Sequence, residues 1–599
     1  MERRLSRERI ESFAGDVLPL RLLGGEAYGK EPVTWTCAGD CVQITSFAGE
    51  APGSFTDGVL LTLLAPGEAV VTAALEGREY RCGVSVREMK TAASGKTLEY
   101  FIGDLHDHTT MEHGTEAFRI RQEGFPIDYI CQVRDEGKLD FCVVSDHGEL
   151  LNDREFFRGF AEGEDAGLTK LILFPGCESE VSPLETDRYG IVHKNAGEIV
   201  TFNAASYAGV DSWEEFFSRF DNSPFAVCCL AHPQVLGSSA KGMWNFCLDR
   251  NNSPRLREMV KLVEMGNGED RSANLINEYV YSVALDNGFR MSPACNSDSH
   301  GPVWGYAACP GKTVVMAPER SREAFLDALR NNRVYATESG NVKLYWSVCD
   351  VAAPGTVALT DRYEFHVEAE LFHGDPDSVP VKCQVISDYG ICVKTLENVD
   401  FSSLDFAVES DTARYFYLRL VDRLGRKTWS CPVWTGRPLD GRNADALIPL
   451  DKKGFWAVEE KTGADASVLL NDDPAAVWTS RGASGSILVD MGAVQDTAGL
   501  GVYHPILEAG KLKAAGISSS EAMSHLPYEY RVSTSADGKD FEEKASGVFR
   551  IFGAESVIRF PRHDARFLRL ELLSTVGANS CLAAYREAKI AVAELTVFR

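Results

Sequence analysis

Between Gly103 and Gly114 the chain reads GDLHDHTTMEHG, with His106, His108 and His113 beside Asp104, Asp107 and Glu112. Imidazoles two residues apart, next to carboxylates, can share one cation, and a protein-held cation can polarise an ester or acidify a water. The rest of the chain offers partners. Of its 12 histidines, seven fall between residues 106 and 300, and each stands just after a short apolar run. His106 and His108 follow YFIGDL, with His113 in the same loop; Asp146 and His147 follow FCVVS; Glu178 follows LILFPGC. His193 follows YGIV, His232 follows AVCCLA, Asp298 and His300 follow MSPACNS, and Glu264 lies within KLVEMGN.

Histidines and carboxylates without thiolates suit Zn, Mn or Fe as divalent ions. The candidate ligands are His106, His108, His113, His147, Glu178, His193, His232, Asp298 and His300. They exceed the needs of one ion and suffice for two or three, bridged by a carboxylate. A hydroxide between two such ions would attack phosphorus or a carbonyl, and a histidine not engaged by metal, His300 or His113, would protonate the leaving group. Asp146 is read as orienting a ligand histidine. Arg134 and Lys194 are the candidates for holding an anionic substrate. Asp107 and Glu112 read as a solvated loop face and Cys177 as packing. Glu264 reads either as support for a ligand or as strand-end structure.

The elements that must position these residues are short buried strands alternating with helix-compatible stretches such as DSWEEFFSRF and ANLINEYVYSVALDNG. That alternation predicts parallel βα units closing into a barrel, whose strands all end on one rim. Ligands spread from residue 106 to residue 300 would then meet in one cleft. Outside this region the text is strand-like. The expected division is an N-terminal segment 1–18, a small β-sandwich over 19–95, the barrel over 96–345, a second small sandwich over 346–437 and a β-sandwich over 438–599.

A formal charge of −26 argues against nucleic acid as a partner, and equally against an anionic membrane surface. No apolar run is long enough for a membrane helix, and MERRLSRERIESFAGDVLPL lacks the apolar stretch of a secretory signal. As written the chain is expected in the cytoplasm, or outside the cell if a signal once preceded it. The 16 cysteines include no CxxC pair and read as buried free thiols.

Taken in order, the HxH of His106 and His108, the pair Asp146–His147, the GxE ending at Glu178, the AHP beginning at Ala231 and the SDSH ending at His300 resemble the polymerase-and-histidinol-phosphatase (PHP) superfamily. The following REAFLDALRNNRVYATESGNVKLYW is similar to its carbaryl-hydrolase-type members. The VTW and APGEAVVTA segments resemble bacterial Ig-like domains. NDDPAAVWTS, SILVDMG, YEYRVSTSADGKDF, ARFLRLEL and AVAELTVF resemble discoidin-like, coagulation-factor-5/8-type modules.

The resemblance implies a multidomain α/β and β protein, with a distorted TIM-like (β/α)7 barrel flanked by β-sandwiches. It implies a first metal on His106, His108, Glu178 and Asp298, and a second on Glu178 as bridge with His193 and His232. The third would use His147, His300 and His113. The activity implied is hydrolysis of a small-molecule or carbohydrate-linked ester. A phosphoester is the leading class, with carboxyl ester, carbamate or amide as the alternative. A glycan-binding protein with a vestigial barrel is the rival of another class.

Overall fold

The computed structural model describes residues 3–599 except 24–32, 47–57, 90–96, 109–138, 149–170, 182–183, 187–188, 190–191, 195–196, 205–215, 217–225, 234–253, 269–277, 279–280, 283, 301–310, 438–446, 506–513, 518, 550–554 and 580–586. His113, Glu112 and Arg134 therefore lie outside the described residues. His193 and Lys194 are described in backbone only.

The apolar runs do form strands, and the near-complete burial of those in the main sheet follows from apolar side chains on both faces. We label them β1 (Glu99–Asp107), β2 (Phe141–Val144), β3 (Ile172–Val181), β4 (Leu184–Thr186), β5 (Val192–Lys194), β6 (Gly197–Phe202), β7 (Val227–Ala231), β8 (Val260–Asn267), β9 (Ser292–Asn296), β10 (Lys312–Ala317) and β11 (Val334–Thr337). One continuous sheet runs β9-β8-β7-β6-β3-β2-β1-β10-β11. Its two distant members meet again at one end. The Asp298 N–H donates to the His106 carbonyl at 2.9 Å, and the His108 N–H donates to the Ser299 carbonyl at 3.0 Å. The sheet thus curls until the ends of β1 and β9 touch, which brings His106 and His108 beside Asp298 and His300.

Two expectations need correction. Not every strand is parallel: β6 runs antiparallel to both β3 and β7. The excursion from β3 to β6 carries the two-stranded ribbon β4–β5, so the chain returns beside β3 as an antiparallel neighbour. Nor is a helix-rich barrel seen among the described residues. The stretches read as helical, 211–220 and 273–288, are described only in part, and helix appears at 216, at 278 and over 281–286 save 283. The helix Arg322–Arg330 is clear, capped by the Ser321 side chain, which accepts the Ala324 N–H.

Sandwich-like sheets flank this wall. Before it, two four-stranded sheets enclose Leu18, Leu20, Val59, Leu61, Val71, Ala73, Cys82 and Val84. Strands Arg4–Leu5 and Arg9–Phe13 belong to these sheets. This unit is pinned to the helix Arg322–Arg330 and the turn after it. Arg7 pairs with Asp327, Arg333 with Asp16, and the Val17 N–H donates to Asn331 Oδ1 at 2.8 Å.

After the wall, β12 (Pro380–Ser387), β13 (Ile391–Glu397), β14 (Tyr415–Asp422) and β15 (Lys427–Trp429) extend the same sheet beyond β11. Buried ion pairs join this part to the helical residues before β9: Arg414 with Asp286 at 3.0 Å and Arg419 with Glu278 at 2.8 Å. The last sheet includes β16 (Gly485–Tyr503), β17 (Glu542–Val548), β18 (Glu555–Leu572) and β19 (Glu594–Phe598), with β17 lying against β13.

Candidate metal centre

Strand periodicity explains which side chains turn inward. Phe174 of β3, Val200 of β6 and Leu262 of β8 share one core cluster. Residues an even number of positions away face the same side: Glu178, Glu198 and Glu264. The pairing of β2 with β1 slips between Cys142–Asp104 and Val144–Asp107, a bulge that takes in Leu105 and His106. A second slip in β8–β9 pairing follows Glu264. Bulges at a rim re-aim side chains, and both sit where the cluster begins.

His106 Nε2, His108 Nε2, Glu178 Oε2 and Asp298 Oδ1 surround one point. Their separations are 3.1 Å between the two imidazoles, then 3.3 and 3.4 Å from His106 to Glu178 and Asp298. From His108 the same two carboxylates lie 3.4 and 3.1 Å away. A tetrahedral ion with bonds of about 2.0–2.1 Å has edges of about 3.3 Å. These five edges therefore fit one such ion. Among the described residues no hydrogen bond reaches the buried Asp298 Oδ1, although imidazole nitrogens face it. Asp298 also holds φ at +50°, a strained left-handed conformation that Asp tolerates better than most residues.

A second group shares the bridge. Glu178 Oε1, the other oxygen of the carboxylate, lies 3.0 Å from His232 Nε2, and Glu198 Oε2 lies 3.5 Å from the same nitrogen. Glu178, Glu198 and His232 form a set whose ligand atoms could hold an ion. On the open side, His147 Nε2 is 3.2 Å from Glu178 Oε2 and His300 Nε2 is 3.5 Å from Asp298 Oδ1. Their side chains are 17% and 28% exposed, whereas His106 and Glu178 are sealed in. The rings of His108 and His300 stack at 4.0 Å, and those of His108 and His147 at 4.6 Å.

Beneath the group, Glu264 is wholly buried and accepts four hydrogen bonds. The donors are His106 Nδ1 at 2.9 Å, Asn296 Nδ2 at 2.7 Å, the His232 N–H at 2.6 Å and Asn267 Nδ2 at 2.9 Å. Glu264 is therefore a support, fixing the His106 tautomer that leaves its Nε2 lone pair facing the group. Asp107, read as a solvated loop residue, is instead buried and accepts the Ser297 hydroxyl at 2.7 Å. The reason is that it closes β1 against Ser299 and never enters the loop. Asp146 is also buried, and its carbonyl accepts the Glu178 N–H at 3.2 Å. Cys177 is buried against Ser179.

Sequence reasoning missed Glu198. It followed apolar runs to their carboxyl ends, but β6 is reversed, so its first residues reach the rim. The available signal was GEIVTF, a carboxylate opening an apolar run directly after the His193 loop. His193 itself lies on β5, opposite Glu185 of β4, in the ribbon outside the main sheet.

The electrostatics call for positive charge. Burial alone would depress His106, yet Glu178, Asp298 and Glu264 hold it well above the ordinary imidazole value. His232 is likewise raised to about 9, burial being outweighed by Glu178 first and then Asp298 and Glu264. Burial opposes ionisation of Glu178, but His106, His108 and His232 keep it well below the usual carboxylate range. Two protons thus stand at neutral pH where a cation would bind. A cation must displace them, so affinity should rise with pH through the His232 titration near 9 and fall toward acid. Calorimetry at pH 7 in two buffers of different ionisation enthalpy should show about two protons released on filling both groups. Release of none would contradict this electrostatic reading.

No family model matches the chain, and no curated protein matches it. Solved structures do. A two-domain protein from Bacteroides vulgatus containing a predicted PHP-like metal-dependent phosphoesterase is 13% identical, covering 54% of this chain and 91% of its own, with a TM-score of 0.31. CpGH89CBM32-5 from Clostridium perfringens, in complex with GalNAc-β-1,3-galactose, is 18% identical over 25% of this chain and 100% of its own, with a TM-score of 0.20. The family 32 CBM of C. perfringens NanJ, in complex with galactose, is 14% identical over 26% of this chain and 99% of its own, with a TM-score of 0.20. Likeness at this level says nothing of what this chain binds.

Proposed function

We propose that the chain is a metal-dependent hydrolase of phosphoesters, a member of the PHP superfamily by the order of its motifs. His106, His108, Glu178 and Asp298 would hold one divalent ion, and Glu178, His232 and Glu198 a second. The observation that carries the reading is the set of five donor separations between 3.1 and 3.4 Å around one point. An ion in each group supplies Lewis acidity, polarising an ester oxygen and lowering the pKa of water.

The chain's own residues do the rest. Glu264 locks His106, and through the His232 N–H it also fixes the chain just after β7. Glu178 presents one oxygen to each group, so the two cation positions share a carboxylate. His147 and His300 line the accessible side, where a proton can pass to a leaving group. Two adjoining cations, held as above, would suit in-line displacement at phosphorus, and for that reason phosphoesters are proposed ahead of carboxyl esters. No helix among the described residues is long and apolar enough to cross a membrane.

The test is turnover of p-nitrophenyl phosphate, bis-p-nitrophenyl phosphate and p-nitrophenyl acetate by protein loaded with Mn²⁺ or Zn²⁺. Metal-dependent cleavage of a phosphoester, absent in His106→Ala, is the expected result. Cleavage of the acetate alone would move the substrate class to carboxyl esters. Cleavage that persists in His106→Ala or without metal would sink the assignment of the site.

A further inference from the structure

In the last sheet, Leu500 and Val502 of β16 and Leu595 and Val597 of β19 lie in that unit's own core. Strand periodicity turns Tyr503 and Thr596 to the opposite, outer face. Gly501 pairs with Thr596 and Tyr503 with Glu594, so these two side chains are near neighbours across the strand pair. An outer face ought to meet water, yet Tyr503 and Thr596 are each 2% exposed.

Tyr189 helps to cover them. It lies in the excursion between β3 and β6, its ring edge-on to Tyr503 with centroids 5.2 Å apart and planes at 88°. Its hydroxyl lies 3.4 Å from Thr596 Oγ1. The two strands joined by that excursion carry Glu178 and Glu198, the carboxylates that face His232. They pair antiparallel from Gly176–Phe202 to Val181–Gly197, so a hold on the excursion constrains the open end of that pairing.

We infer that the outer face of β16–β19 is a docking surface for the metal-bearing unit, and that Tyr189 is a positioning residue for the second cation group. The inference rests on the metal-site reading above. On it, the last unit is a wall of the hydrolase and not a module carried on a tether. Aromatic edge-to-face contact supplies a fixed angle, and the hydroxyl bond fixes the ring's direction. Losing both would let the β3–β6 pair shift most at its open end, one pair from Glu198 and three from Glu178, so the group that holds Glu198 is the one disturbed.

The experiment titrates metal-free full-length protein with Mn²⁺ and counts tight equivalents, with turnover measured at low and high Mn²⁺. Tyr189→Ala and, from the other side, Thr596→Arg should bind the first equivalent as the wild type does. Each should bind the second about 10- to 100-fold more weakly, with turnover restored at high Mn²⁺. Tyr189→Phe, which keeps the ring, should lie close to wild type. Unchanged affinity for both equivalents in both disrupting variants would overturn the inference and leave the metal site standing. Should Tyr189→Ala fail to fold, Thr596→Arg decides alone. A wild-type protein that binds no Mn²⁺ would instead defeat the functional reading.

Discussion

Glu178→Gln should remove tight metal binding at both cation positions and, with it, nearly all turnover. Glu178 is the one side chain that both candidate groups share, with Oε2 toward His106, His108 and His147 and Oε1 toward His232. The substitution preserves size but removes the charge and gives one position an N–H₂, which donates where a ligand must accept. His106 and His232 then lose the carboxylate that chiefly outweighs their burial. Bound metal should fall from two or more equivalents to one weak equivalent or none. Activity should fall by about 10³-fold or more, the scale of removing a group that stabilises developing charge. A variant that keeps two tight equivalents would show that Glu178 is no bridge.

Glu264→Gln should weaken metal binding without touching a ligand. All four hydrogen bonds to Glu264 come from donors, two to each oxygen. A glutamine in this sealed position must turn its own N–H₂ toward one pair of them. If the clash falls on His106, the ring takes the other tautomer and presents an N–H toward the cation. If it falls on His232 and Asn267, the chain just after β7 shifts. The expected cost is about 10- to 100-fold in metal affinity, with the fold retained because the shape is unchanged. Equal affinity in wild type and variant would reduce Glu264 to packing.

The cluster was legible in the sequence because local pattern and function coincide there. Short apolar runs ending in His, Asp or Glu mark strand ends, and His106, His108, Glu178, His232, Asp298, His147 and His300 do gather in one place. Their convergence depends on the β1 and β9 ends meeting, which the runs suggest but do not specify. Two things were hidden. Strand direction is set by how a connection returns, so the reversed β6, and with it Glu198, could not be read from apolar spacing. Burial of Asp107 was hidden as well, because a single residue decides whether a strand has ended. The flanking strands were visible as alternation, whereas the contact of Tyr189 with Tyr503 and Thr596 joins residues far apart in sequence. No local pattern encodes such a contact.

The most direct test of the central claim is anomalous diffraction from crystals grown with Mn²⁺ or Zn²⁺, collected at that metal's absorption edge. One peak is expected bonded to His106 Nε2, His108 Nε2, Glu178 Oε2 and Asp298 Oδ1 at about 2.0–2.2 Å. A second is expected against Glu178 Oε1, His232 Nε2 and Glu198. Crystals of folded protein with these donors ordered but no peak among them, at millimolar metal, would contradict it.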